Sequence, residues 1–213
     1  MKKKIKLSIL SALMCLGVSS IAQAAEPTDS LKNIDRSDVV ASFKEDLKKK
    51  HPNLVIKEVT NEEAAKLRAE AKEHENQQSS SIGTYGPAKP VTDLYILGIV
   101  WDGGASHQAI DGQISTSKPI KGLSQVVTFE EGNGSDTQWL GDEQITFSNP
   151  DYIWKTDSVD YDGDRIVDAW IHYVTFDSDV KIPSQETKQY RFQSRSYNAP
   201  WNTEQAWLNI PHQ

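Results

Sequence analysis

The sequence predicts a mainly β fold, an antiparallel β-sandwich or barrel, with an N-terminal helix–strand–helix extension. Three observations carry this. From Val91 onward, about six runs of β-branched and aromatic residues alternate with clusters of Gly, Asn, Pro and Asp. Residues 25–76 are rich in Lys, Glu and Ala and hold none of the six Trp, all of which lie beyond residue 100. Between the two, residues 77–90 have the Gln, Ser, Gly and Pro content of a linker.

Residues 1–24 read as a signal peptide. Lys2, Lys3, Lys4 and Lys6 form a basic start, Leu7 to Ile21 is apolar, and Ala22-Gln23-Ala24 fits the small-x-small cleavage rule. The apolar run is shorter than the roughly 20 residues of a spanning helix, which argues against a membrane anchor. Met14 before Cys15 argues against a lipoprotein site. Cleavage before Ala25 would remove the only cysteine, so Cys nucleophiles, Cys-ligated metals and disulfides are excluded from the mature chain. Four Lys would leave as well, taking the net charge from −7 to −11. Such a surface repels nucleic-acid phosphates and anionic lipid, and fits a secreted or periplasmic protein.

The next segment, 25–76, reads as helical. Ser37 is placed to cap a helix on which Val39, Val40, Phe43 and Leu47 share a face, and His51-Pro52-Asn53 stops it. Leu54 to Val59 reads as a short strand. Thr60-Asn61-Glu62-Glu63 is a capping box that opens a second helix running to about His74. That helix has only Leu67 and several Ala on its apolar side, so it is expected to be exposed or loosely docked. The segment reads as a prosegment, a docking arm, a small domain or a surface extension, and its residues do not choose among these.

In residues 91–213 the strand candidates are Val91 to Trp101, Gln125 to Phe129, Gln144 to Phe147, Trp170 to Phe176, Gln189 to Tyr197 and Ala206 to Ile210. The turns Asp102-Gly103-Gly104, Glu131-Gly132-Asn133-Gly134 and Ser148-Asn149-Pro150-Asp151 separate several of them.

The most informative stretch lies within this part. Asp160, Asp162, Asp164 and Asp168 fall at positions 1, 3, 5 and 9 of one loop, with the Ile166 carbonyl at position 7 and Gly163 allowing a sharp bend. Calcium takes six to eight oxygens, and alternating Asp residues on a curving backbone supply them. Position 12 is Ile171 rather than Glu, and the following residues read as strand. The loop is therefore expected to bind Ca²⁺ as a pin for a β-turn rather than as a helix-opening sensor; the competing reading is an acidic turn without metal.

Other residues are weighed against blander roles. Trp101 and Trp170 lie in apolar runs and are expected in the core, whereas Trp139 and Trp201 lie in Gly-, Asn- and Pro-rich stretches. Asn198, Trp201 and Asn202, together with Trp139, are the candidate ligand-binding residues, since a sugar ring stacks on an aromatic plane and short amides reach its hydroxyls. The structural alternative is that Trp201 caps the sheet. His107, near Asp102, Ser106 and Asp111, offers a general base for a hydrolase, but no triad spacing or nucleophile elbow is present and a surface-loop histidine is the preferred reading. His172 alternates with Trp170, Val174 and Phe176, so it points with them into a core or a cleft. Glu130-Glu131 and Asp142-Glu143 read as solvated charge.

Val159 to Phe176 taken with Phe192-Gln193-Ser194-Arg195-Ser196-Tyr197-Asn198-Ala199-Pro200-Trp201-Asn202-Thr203 resembles small secreted bacterial proteins of the YolA type, a domain family of unknown function. The likeness spans about 91–210 and leaves out 25–76. It implies a signal peptide, an extracytoplasmic β-rich domain and an acidic loop, with no activity attached. Arg165 stands where similar loops often have a second Gly.

The expectation is a secreted, calcium-binding β-rich domain that binds an extracellular or cell-surface ligand, a glycan foremost. The alternatives are an extracytoplasmic hydrolase with its site near 102–111, and a secreted toxin or antagonist with 25–76 as prosegment. No catalytic signature stands out, which leans away from an enzyme.

Overall fold

The computed structural model describes residues 38–77 and 89–213. Residues 1–24, read above as a signal peptide, Ser37 and most of the stretch read as a linker lie outside the described residues. Among the described residues no helix is long and apolar enough to cross a membrane.

The chain builds two antiparallel sheets packed face to face. In order come α1 (Asp38–Lys50), β1 (Val55–Val59), α2 (Asn61–Gln77), β2 (Asp93–Trp101), β3 (Ser106–Ala109), β4 (Leu123–Glu131), β5 (Gly134–Leu140), β6 (Glu143–Ile145), β7 (Tyr152–Asp160), β8 (Ala169–Asp177), the single turn α3 (Ser178–Lys181), β9 (Thr187–Ser196) and β10 (Thr203–Pro211). One sheet has six strands in the order β1-β7-β8-β4-β2-β3, the other four in the order β10-β9-β5-β6. Of the two expected β architectures, this is the sandwich: both sheets keep open edges.

Alternation explains the core. Val174 and Phe176 of β8, Tyr190 and Phe192 of β9, and Leu208 and Ile210 of β10 all point between the sheets and are fully buried. On β2, Leu94 and Ile96 share that face with Ile99 and Trp101 although their parity differs, because the register shifts between Ile96 and Gly98. Trp101 and Trp170 are core residues, as expected.

The N-terminal segment dresses the outer face and one edge of the large sheet. Val40, Phe43 and Leu47 of α1 lie on Phe129, Ile171 and Tyr173. The helix ends at Lys50, the following His51 N–H still bonds the Leu47 carbonyl, and the last turn is Lys48, Lys49 and Lys50, favourable at a helix C-terminus. β1 then pairs with β7 from Val55↔Asp160 to Val59↔Thr156. The expected capping box is present: the Glu63 N–H donates to Thr60 Oγ1 at 3.1 Å and the Thr60 N–H to Glu63 Oε2 at 3.0 Å.

Three strands differ from expectation. β3 follows the Asp102–Gly104 turn directly, β5 begins inside the stretch read as a turn, and β7 runs through Lys155, Asp157 and Asp160, whose charges mask its pattern.

Candidate functional site

Three surfaces bear on function: the Asp loop, a cleft beneath α2, and the outer face of the four-stranded sheet.

The Asp loop links β7 to β8. Asp160, Asp162 and Asp168 each place one carboxylate oxygen within 4.8 Å of the others. Asp164 is exposed and stands outside that group, its carboxylate accepting the Ile166 N–H at 2.7 Å. Asp160 accepts the N–H groups of Gly163 at 2.7 Å and Arg165 at 2.8 Å, which curl the loop around its carboxylate. Gly163 has φ +80° and Arg165 φ +75°, so a non-glycine residue takes the left-handed position that similar loops fill with Gly. From the N-terminal segment, His51 stacks on Tyr161 with ring centroids 4.2 Å apart. Asp168 accepts the Tyr161 N–H at 2.7 Å and pairs with Lys89. Three of the four expected carboxylates thus lie together, and Asp164 stands apart from them.

The cleft was not expected. Glu130, read as solvated, is fully buried on β4. β4 alternates, so Glu130 points inward beside Thr128, and its carboxyl oxygens are met by groups distant in sequence. Arg68 of α2 donates from Nη2 to Glu130 Oε2 at 3.0 Å and from Nη1 to Asp136 Oδ1 at 2.5 Å and the Gly134 carbonyl at 2.6 Å. Its guanidinium carbon lies 4.6 Å from the Trp170 ring centre. Ser194 Oγ donates to Glu130 Oε1 at 2.6 Å, and His172 Nε2 stands 3.1 Å from Glu130 Oε2. His172 therefore does point inward with Trp170 and Val174, as its alternation indicated. α2 docks through an arginine, which explains how so polar a helix is held.

Burial sets the protonation of this cluster. It pushes His172 down to about 3, so the ring is neutral at ordinary pH. It pushes Asp136 up to about 6, with Arg68 pulling the other way. Burial also opposes the charge on Arg68, but Asp136 and Glu130 outweigh it and hold the guanidinium above its ordinary range. Glu130, Asp136 and His172 each offer an atom within 4.8 Å of the others, a set that would suit a metal, and here all three meet the Arg68 guanidinium. The adjoining cavity of 520 Å³ is lined by Phe147, Trp154, Thr156 and Tyr197 among others.

The third surface contains Trp139. β5 and β10 flank β9, and both Trp139 and Trp207 face Arg191 in register. The Arg191 guanidinium carbon lies 4.2 Å from the Trp139 ring centre, and Trp207 is 46% exposed. Between Thr203 and Asn209 and across to Ser135, the outward positions hold only Trp, Arg, Gln, Asn, Ser and Thr, with no carboxylate and no aliphatic side chain.

The 198–202 loop is separate from this row. Thr203 pairs with Arg195, four residues from the Trp207–Arg191 pair, or roughly 13 Å of strand. Trp201 is 54% exposed and has φ +59°. Asn202 is used internally: Nδ2 donates to the Val91 carbonyl and Oδ1 accepts from Ser196 Oγ, both at 2.5 Å. Asn198 is buried. The four expected ligand residues are therefore not brought together; Trp139 joins Arg191 and Trp207 instead. Alternation along β9 and β10 was the signal that could have found this row.

At the other candidate, His107 is exposed on β3, and Asp102, Ser106, His107 and Asp111 make no hydrogen bonds with one another among the described residues.

No curated protein matches the chain, and no solved structure does. A family model for a domain of unknown function, DUF4879, matches residues 86–210. That span takes in β2 to β10 up to Ile210, the Asp loop, Glu130, Asp136 and the Trp139–Arg191–Trp207 row, while α1, β1 and α2 precede it. The chain belongs to the DUF4879 family.

Proposed function

We propose that the mature chain is an extracytoplasmic binding module, secreted or periplasmic, that holds an extracellular or cell-surface glycan on the outer face of its four-stranded sheet and uses Ca²⁺ to pin the Asp loop. The observation that carries this is the Trp139–Arg191–Trp207 row on a face without carboxylates, in a chain of net charge −7. A sugar's C–H face stacks on a π-surface, and the flanking Gln193, Gln205 and Asn209 offer the amides that hydrogen-bond hydroxyls. A row across three strands suits an extended chain better than a single sugar.

The resemblance to YolA-type secreted proteins, the basic–apolar start of the chain and its acidic balance support the location. Calcium rests on Asp160, Asp162 and Asp168, with Asp164 and the Ile166 carbonyl completing the set as the loop closes on the ion.

A glycan array, read with the wild-type protein and with Trp207→Ala, tests the reading. Binding to one polysaccharide class that falls at least tenfold in Trp207→Ala, with an unchanged melting temperature, is the expected result. No binding to any glycan, or equal binding by both proteins, would overturn it.

A further inference from the structure

Every acceptor around Arg68 belongs to the family domain, and Arg68 does not. Glu130, the Gly134 carbonyl, Asp136 and the Trp170 ring all lie within 86–210, whereas α2 lies before it. Two of these groups, Glu130 and Trp170, are also held by partners within the domain. Ser194 Oγ and His172 hold Glu130, and Trp170 Nε1 donates to Asn133 Oδ1 at 3.0 Å, whose own amide donates to the Val167 carbonyl. Two carboxylates, a carbonyl and an aromatic plane form the constellation that recognises a planar, forked cation. A guanidinium reaches these acceptors from two nitrogens, Nη1 and Nη2, where an ammonium would have to meet all of them from one.

We propose that this pocket is a guanidinium-binding site, and that α2 is a displaceable plug which fills it with Arg68. The ligand class is the arginine side chain of a partner peptide, entering where Arg68 now sits. The cavity beside it, walled by Phe147, Trp154 and Tyr197, provides room for residues flanking that arginine. If instead Arg68 is only a structural anchor, the pocket has no use for a guanidinium from outside and α2 does not yield to one.

Two measurements on the full chain separate these. In Arg68→Ala, ethylguanidinium should raise Tm by roughly 2–4 °C at about tenfold excess over its Kd, with ethylammonium and NaCl at equal ionic strength giving no such rise. In the wild-type protein, N-acetyl-arginine methylamide should speed hydrogen exchange of the 61–77 amides by roughly twofold or more, and the lysine analogue should not. A Tm that fails to distinguish ethylguanidinium from ethylammonium would overturn the site. Selective binding in the variant with unchanged exchange in the wild type would overturn the plug. Should Arg68→Ala not fold alone, refolding rescued by ethylguanidinium and not by ethylammonium supports the site, and refolding by neither overturns it.

Discussion

Lys44 Nζ of α1 lies 2.6 Å from Asp157 Oδ2 of β7, a carboxylate that is 1% exposed and also accepts from Tyr173 Oη at 2.8 Å. A cation from outside the family match thus meets a buried acid inside it, as Arg68 does on the opposite face of the sheet. Lys44→Met should destabilise the fold by about 1–3 kcal/mol by weakening the pairing of that carboxylate. In the Asp157→Asn background the same substitution should cost much less. A double-mutant cycle in urea reads the coupling, and additive effects would show that the pair contributes nothing.

Acid stability should report the cleft. His172, held low, leaves the native state short of a proton from pH 6.5 down to about 3, so its contribution to stability falls as pH drops through that window. Asp136, held high, gives the native state an extra proton between about 6 and 3.8, so its contribution rises as pH drops there. The two oppose each other from about pH 6 to 3.8. Asp136→Asn removes the compensating group, and its stability relative to wild type should decline on acidification through that range. Parallel pH–stability curves for the two proteins would contradict this assignment.

Calcium at about 100-fold excess over its Kd, expected on the order of 10⁻⁵ to 10⁻³ M, should stabilise the protein by roughly 2.7 kcal/mol. Asp162→Ala should remove most of that effect while leaving the metal-free stability within about 0.5 kcal/mol, since Asp162 is exposed. Thermal melts in EDTA and in excess calcium decide the matter. Identical midpoints would mean that the loop is an acidic turn only.

The 198–202 loop should divide its roles between neighbours. Trp201→Ala, at an exposed position, should change stability by less than about 0.5 kcal/mol. Asn202→Ala should cost about 1–3 kcal/mol, because it strips partners from Ser196 Oγ and the Val91 carbonyl. Denaturant midpoints for the two variants check the order, and a larger loss for Trp201→Ala would reverse it.

Local signals in the sequence were dependable and distant ones were absent. Thr60 and Glu63 sit three residues apart, so their reciprocal cap is written in four letters. His172 is turned inward by two-residue alternation along β8, which any strand displays. Glu130 illustrates the limit. A carboxylate near a strand end is ordinarily solvated, and the arginine that makes burial possible lies 62 residues away on another element. β7 escaped notice for a related reason. Asp157 and Asp160 interrupt its apolar pattern, yet Asp157 is buried against Lys44 and Tyr173, which only the fold brings near.

β1 adds five residues to the edge of β7, and it lies outside the span that defines the family. Without it, the segment from Thr156 to Asp160 would present a row of free peptide N–H and C=O groups at the border of the sheet, a template on which a second chain can add a strand. A chain trimmed to residues 86–213 is therefore expected to self-associate through that border. In this chain, the five residues ahead of the domain cover that border and shift the open edge of the sheet outward to β1.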